Sequence, residues 1–257
     1  MLFTRTMNCI EANLRIIQKR ISDAFETTDP SRRSRFPRLV AASKLKPVRD
    51  ICFAYQAGQR HFGENYVQEL LKKSNDERLL IECADIRWHL IGHLQSNKVN
   101  KVVSSIPHLY MIETVDSIKL AESLNASVGR RPEGSSKLNV MVQVNTSDEK
   151  QKSGIQPAEA GMLAAHIRST CNNLNFVGFM TIGRLDHCDA GEEDENPDFR
   201  CLSDVREAFC KENGISLDQV ELSMGMSGDF EQAIRMGSTN VRVGSSIFGP
   251  REPVQSY

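Results

Sequence analysis

Three short fragments of this 257-residue sequence carry side chains that suit covalent capture of a carbonyl compound and the binding of an anion. In Ala41-Ala42-Ser43-Lys44-Leu45-Lys46-Pro47 a lysine follows small residues. Withdrawn from water, its ammonium loses hydration and its pKa falls, which leaves a free amine able to form a Schiff base with an aldehyde. Lys46, two residues on, would depress that pKa further if both side chains shared a face. Two solvated rim lysines are the plainer reading of the same fragment. In Ser223-Met224-Gly225-Met226-Ser227-Gly228-Asp229 the glycines free main-chain N–H groups and Ser227 adds a hydroxyl; in Val241-Arg242-Val243-Gly244-Ser245-Ser246 a strand pattern again runs into small residues. Both fragments suit a phosphate, and both also occur as ordinary turns. Arg242, if buried, is a permanent cation that needs an acceptor, either a ring-nitrogen lone pair or a carboxylate such as Glu64 or Glu113.

Other polar groups are less telling. His89 and His93 have the spacing of a helical metal pair, but Trp88-His89-Leu90-Ile91-Gly92 reads as a strand, where four residues span ~13 Å, so no metal site is expected. His61-Phe62-Gly63-Glu64-Asn65 ends a second strand pattern with a carboxylate and an amide.

Eight apolar stretches, LVAAS, RHFGE, IRWHLIG, HLYMIET, LNVMVQVN, NFVGFMTI, VELSMG and NVRVGSSIFG, alternate with helical patterns. Strands separated by helices pair in parallel, so the pattern predicts an α/β fold, a single (β/α)8 TIM barrel, with an open doubly wound sheet as the alternative. In such a barrel chemistry sits at the carboxyl ends of the strands, and the loops after strands seven and eight, where the two anion fragments fall, are the usual phosphate position. Met180 and Thr181, closing the sixth stretch, read as packing in the barrel's top layer. Helices are expected from Pro47 to Gly58, from Ser227 or Asp229 to Gly237, and from near Asp116 and Pro157. Ile10, Leu14, Ile17, Ile21 and Phe25 predict an extra N-terminal helix over about 7–26, ahead of a barrel over about 38–250, the whole forming one domain. SVGRRPEGSS and the acidic GRLDHCDAGEEDENPD read as solvated loops, the second placed to act as a flap.

Composition excludes several classes. Thirty-two basic against 33 acidic residues leave a formal charge of −1, so there is no global field to gather nucleic acid or an anionic membrane. No apolar run approaches the ~20 residues of a membrane span. Seven cysteines without CxxC spacing argue for a reducing, cytoplasmic setting, although MLFTRTMNCI leaves mitochondrial import open.

Taken together and in order, ASKLKP, HFGENYVQE, WHLIGHLQSNK, NTSDEKQKSGI, GFMTIG, SMGMSGDFEQAI and VRVGSSIFG resemble the pyridoxal phosphate homeostasis protein family, over residues from about 41 to 249. The resemblance implies a barrel similar to the N-terminal domain of alanine racemase, holding pyridoxal 5′-phosphate (PLP). It implies Lys44 as the Schiff-base lysine, Ser227, Gly244 and Ser245 at the phosphate, Arg242 facing the pyridine nitrogen, and Asn65 and Met224 lining the ring. Two departures are mild: Ser245 stands where threonine is frequent, and Leu45 replaces a more usual polar residue. An arginine cannot accept the ring proton, so the nitrogen stays neutral and PLP becomes a poor electron sink. A two-base racemase also needs a second acid/base from elsewhere, and eight residues follow Gly249. The expectation is a carrier or reservoir for PLP in vitamin B6 homeostasis rather than an enzyme, a monomer, with PLP-dependent apo-enzymes as partners and neither nucleic acid, membrane nor metal. A racemase-like PLP enzyme and a PLP-free phosphosugar or cyclic-phosphate barrel enzyme are the alternatives.

Overall fold

The computed structural model describes residues 2–149, 153–184 and 195–250, with side chains from residue 6. The eight apolar stretches form β1 (Arg38–Ala42), β2 (His61–Glu64), β3 (Arg87–Leu90), β4 (Leu109–Val115), β5 (Leu138–Gln143), β6 (Leu174–Met180), β7 (Glu221–Ser223) and β8 (Asn240–Val243). All neighbours are parallel and β1 bonds to β8, so the sheet closes in sequence order and the open-sheet alternative falls. The chain between strands returns through α2 (Val48–Gln56), α3 (Val67–Ser74), α4 (Glu77–Glu82), α5 (Val99–Ser105), α6 (Ile118–Val128), α7 (Pro157–Thr170), α8 (Pro197–Asn213) and α9 (Phe230–Arg235), with the short α10 (Ser245–Phe248) after β8. Residues 185–194, most of the acidic segment read as a flap, and 150–152 within the NTSDEKQKSGI stretch lie outside the described residues.

Side chains alternate across each strand, and the two faces are filled differently. Outward residues such as Ala41, Phe62, Trp88, Val140 and Phe179 join the large core between sheet and helices. Each fully buried large side chain there contributes about 1.5–3 kcal/mol. Inward residues include Val40 and Ala42, a small cluster of Met111, Met141 and Met180, and the buried polar groups His89, Glu113, Ser223, Asn240 and Arg242. The barrel is therefore held mainly from outside, which leaves its interior free for charge.

The extra helix, α1 (Leu2–Thr27), starts five residues ahead of the predicted bound at about 7, and the first buried position among its described side chains is Ile10. Its stripe of Ile10, Leu14, Ile17, Ile21 and Ala24 packs against α2, α9 and α10. Asn13 Nδ2 donates to the Ile247 carbonyl at 2.9 Å, and Arg20 grips Glu231 at 2.8 and 2.6 Å. With only four residues, α10 is too short to serve as the eighth outer helix, and α1 takes that place.

The expected cap of α9 is absent. Asp229 Oδ1 instead accepts from the Met226 N–H at 2.5 Å, and Ser227 Oγ accepts from the Gly244 N–H at 3.2 Å, so both side chains brace the β7–α9 turn and its neighbour. Gly225, at φ +95°, is required there: a Cβ would lie 2.6 Å from that of Ala233.

Candidate functional site

The site is built at the carboxyl end of the barrel. Ser43 N–H donates to the Gly63 carbonyl at 3.0 Å, extending the ladder one residue past β1. Ser43 thus faces outward, and alternation puts half-buried Lys44 on the interior side with Val40 and Ala42. Leu45 follows at φ +61°, a left-handed conformation that costs a leucine about 1–2 kcal/mol. What holds it is charge. Glu69 Oε1 accepts from the Leu45 N–H at 2.7 Å, and the buried Lys73 ammonium donates to the Ser43 carbonyl (2.8 Å), Glu64 Oε1 (2.8 Å) and Glu69 Oε1 (2.7 Å). All three Lys73 protons are used. Ser43 Oγ also donates to Glu64 Oε1, at 2.6 Å. Main-chain groups on both sides of Lys44 are therefore clamped. Lys46 donates to the Pro250 carbonyl at 2.7 Å.

Glu64 lies outside the barrel wall and does not meet Arg242. Burial pushes its carboxyl up to about 6, against the pull of Lys73 and Ser43, and its Oε2 has no hydrogen-bond partner among the described residues.

On the other side of the mouth the turns after β7 and β8 are tied by the Ser227–Gly244 bond. A Cβ on Gly244 would stand 3.0 Å from the Ala42 carbonyl, so glycine lets this turn lie against the end of β1, two residues from Lys44. Ser245 is exposed at the start of α10. Asn65, just past β2, is half-buried, and its Oδ1 is a buried acceptor without a partner among the described residues. Met224 is fully buried, but alternation sends its side chain outward into the core with Leu222 and Val243; what it offers the mouth is main chain.

Arg242 is buried below the mouth. Its Nη1 donates to Ser223 Oγ at 2.5 Å and its Nη2 to the Thr181 carbonyl at 2.6 Å. Burial lowers its pKa, opposed by Glu113 and Asp229, and it remains a cation. Of the two carboxylates weighed from sequence, Glu113 is the one it reaches, through Ser223, which donates to Glu113 Oε2 at 2.6 Å. Asn240 Nδ2 bonds both Glu113 oxygens (3.2 and 3.1 Å), and His89 Nδ1 bonds Oε1 at 2.6 Å. Burial opposes ionisation of Glu113, but His89, Arg242 and Ser223 outweigh it and hold the carboxyl at about 2. His93 lies apart from His89, half-exposed, 3.7 Å from Asp116.

Six of the seven sequence-derived residues thus come to one end of the barrel, and Met224 comes there with its main chain. Glu113 was weighed from sequence as a carboxylate partner of Arg242, whereas Lys73, His89, Ser223 and Asn240 were not marked as parts of the site. Clefts of about 650, 710 and 510 Å³ lie between α5 and α6, between α7 and α8, and at the amino-terminal face of the barrel. None is lined by the seven residues, and the mouth is favoured over them because only there do an amine, anion-binding amides and a buried cation converge.

The profile of the alanine racemase N-terminal domain family matches residues 35–252. The human pyridoxal phosphate homeostasis protein is 49% identical over 241 residues, covering 93% of this chain and 86% of that protein, and the Haemophilus influenzae protein of the same name is 40% identical, covering 94% and 96%. The chain belongs to the pyridoxal phosphate homeostasis protein family. Among solved structures, PipY of Synechococcus elongatus with PLP bound superposes with a TM-score of 0.70 at 32% identity, over 93% of this chain and all of that one. Alanine racemase of Clostridium difficile, at 12% identity and TM-score 0.68, shares the fold, with 61% of its chain covered. No helix among the described residues is long and apolar enough to cross a membrane.

Proposed function

We propose that this protein binds PLP at the barrel mouth and serves vitamin B6 homeostasis as a carrier or reservoir, its 257 residues acting as one binding unit. The observation that carries this is the convergence at one strand end of the clamped Lys44 turn, the paired Ser227–Gly244 turns and the buried Arg242. Two features support the fit: Gly244 carries no side chain where its turn lies against the Ala42 carbonyl, and Asn65 Oδ1 is an acceptor at the rim without a partner among the described residues. When bound, PLP supplies an aldehyde that joins an amine with loss of water, and Lys44 is the amine at this site. The Ser227 hydroxyl, already braced by the Gly244 N–H, and the Ser245 N–H would hold the phosphate beside Gly244, Arg242 would face the pyridine nitrogen, and Asn65 with the Met224 main chain would border the ring.

As a donor-only group Arg242 leaves the ring nitrogen unprotonated, which disfavours transamination and decarboxylation but does not by itself exclude racemization. The protein works in this reading as a cytoplasmic monomer that passes PLP to apo-enzymes, without nucleic-acid or membrane contacts. A visible spectrum before and after borohydride, followed by peptide mapping, tests it: the label is expected on Lys44 and absent from Lys44→Ala. Label elsewhere, or no PLP band at all, sinks the proposal. Multiple-turnover exchange of amino-acid Cα protons for deuterium would favour the racemase-like alternative instead.

A further inference from the structure

We propose that Glu113 is the positioning residue for Arg242, and that Arg87, on the opposite face of the barrel, sets the direction of the hydrogen bonds that connect them. This rests on the reading of Arg242 as the partner of the ring nitrogen. Arg87 is the first residue of β3, exposed, and lines the cleft of about 510 Å³ at the amino-terminal face. A guanidinium only donates, so its Nη1, 3.3 Å from His61 Nε2, makes that nitrogen an acceptor. Neutral His61 then carries its proton on Nδ1 and gives it to His89 Nε2 at 2.8 Å, which leaves the His89 proton on Nδ1 for Glu113 Oε1 at 2.6 Å. From the mouth side, Arg242 occupies a lone pair of Ser223 Oγ, so the serine proton goes to Glu113 Oε2.

Every bond points toward Glu113. The carboxylate is ionised at the centre of the line, and both imidazoles are neutral Nδ1–H tautomers. A His89 imidazolium would force the proton of His61 onto Nε2, directly against the Arg87 N–H, so the geometry at the base selects the neutral pair. Arg38, Arg87 and the Tyr110 ring face His61, and their two cations also oppose a proton there. At the mouth, Glu113 and Asp229 are the carboxylates whose fields reach Arg242. With Nη1 on Ser223 and Nη2 on the Thr181 carbonyl, the guanidinium is fixed in plane as well as in charge, which is what recognition of a ring nitrogen needs.

The experiment has two readouts on the full-length protein. Without added PLP, nitrogen-15 NMR of the six histidines at neutral pH is expected to show His61 and His89 as Nδ1–H tautomers, with Arg87→Leu releasing His61 from that form and Arg87→Lys, which keeps a donor, retaining it. An Nε2–H tautomer or imidazolium at either residue, or no effect of Arg87→Leu, overturns the directed line. With PLP added, Glu113→Gln is expected to move the pH midpoint of the PLP absorption change by roughly one unit or more while Lys44 is still labelled. Ser223→Ala, which removes only the bridging hydroxyl, is expected to move it in the same direction and serves where Glu113→Gln fails to fold. An unchanged midpoint in Ser223→Ala with PLP retained overturns the positioning role. Absence of PLP from wild type as well would sink the function proposed above, and the positioning role with it, whereas the NMR pattern decides the directed line by itself.

Discussion

Two glutamates are completely buried in this barrel, on either side of the same wall, and they are driven in opposite directions. Glu113 points inward and all its lone-pair directions are answered by His89, Ser223 and Asn240, with Arg242 beyond. Glu64 points outward beneath the Lys44 turn; its Oε1 is crowded by Lys73 and Ser43, its Oε2 has no partner, and it shares Lys73 with a second carboxylate, Glu69. Burial disfavours both anions. The number and charge of donors decides the outcome: about 2 for Glu113 and about 6 for Glu64. A buried charge is thus a fixture in one place and a conditional clamp in the other.

The contrast predicts unequal costs. Glu113→Ala leaves Arg242 and His89 facing an empty centre and is expected to destabilise by about 3–5 kcal/mol in urea unfolding; a cost below about 1 kcal/mol would erase the distinction. Lys73→Met keeps much of the side-chain volume but frees the Ser43 carbonyl and both glutamates, and should cost about 2–3 kcal/mol, because Glu64 can escape by taking a proton. It should also slow borohydride labelling at Lys44, which a general loss of stability below the unfolding midpoint would not do.

The pH dependences run opposite ways. Glu113 titrates at about 2 in the fold against 4.5 in the unfolded chain, so its contribution is complete above 4.5 and lost as pH falls through 2, about 3 kcal/mol in all. His61, held neutral first by burial and also by the cations of Arg38 and Arg87, adds to this acid loss once pH drops below 6.5. Glu64 does the reverse: the folded form keeps a proton that the unfolded chain releases, so stability falls by about 2 kcal/mol as pH rises from 4.5 through 6. Glu64→Gln should flatten that window in denaturation series at pH 4.5, 6 and 7.5, and at neutral pH it should change stability by less than about 1 kcal/mol.

The same pair marks where sequence was legible. All eight strands could be read because short apolar stretches alternate with helical patterns along the chain, and the mouth was proposed because ASKLKP and VRVGSS keep their order. Glu64 was weighed as a partner for Arg242, and the error is one of parity: it neighbours Gly63, whose ladder partner His89 points inward, so Glu64 must point out. Lys73 and Glu69 look like solvated helix charges in Val67-Gln68-Glu69-Leu70-Leu71-Lys72-Lys73, since nothing in one dimension says that this face of α3 packs on the end of β2. Asn65 and the cation Arg242 were singled out by short motifs rather than by burial.

The substitution of α1 for a missing eighth outer helix has a consequence for how the molecule tolerates cutting. The strands flanking that seam, β8 and β1, are the ones that deliver Gly244 and Lys44, so the amino terminus is structural support for the cofactor pocket from a distance. Trimming up to Ile10 should leave PLP capture intact, whereas proteolysis farther along the helix should loosen both turns together and cost binding well before the rest of the barrel unravels.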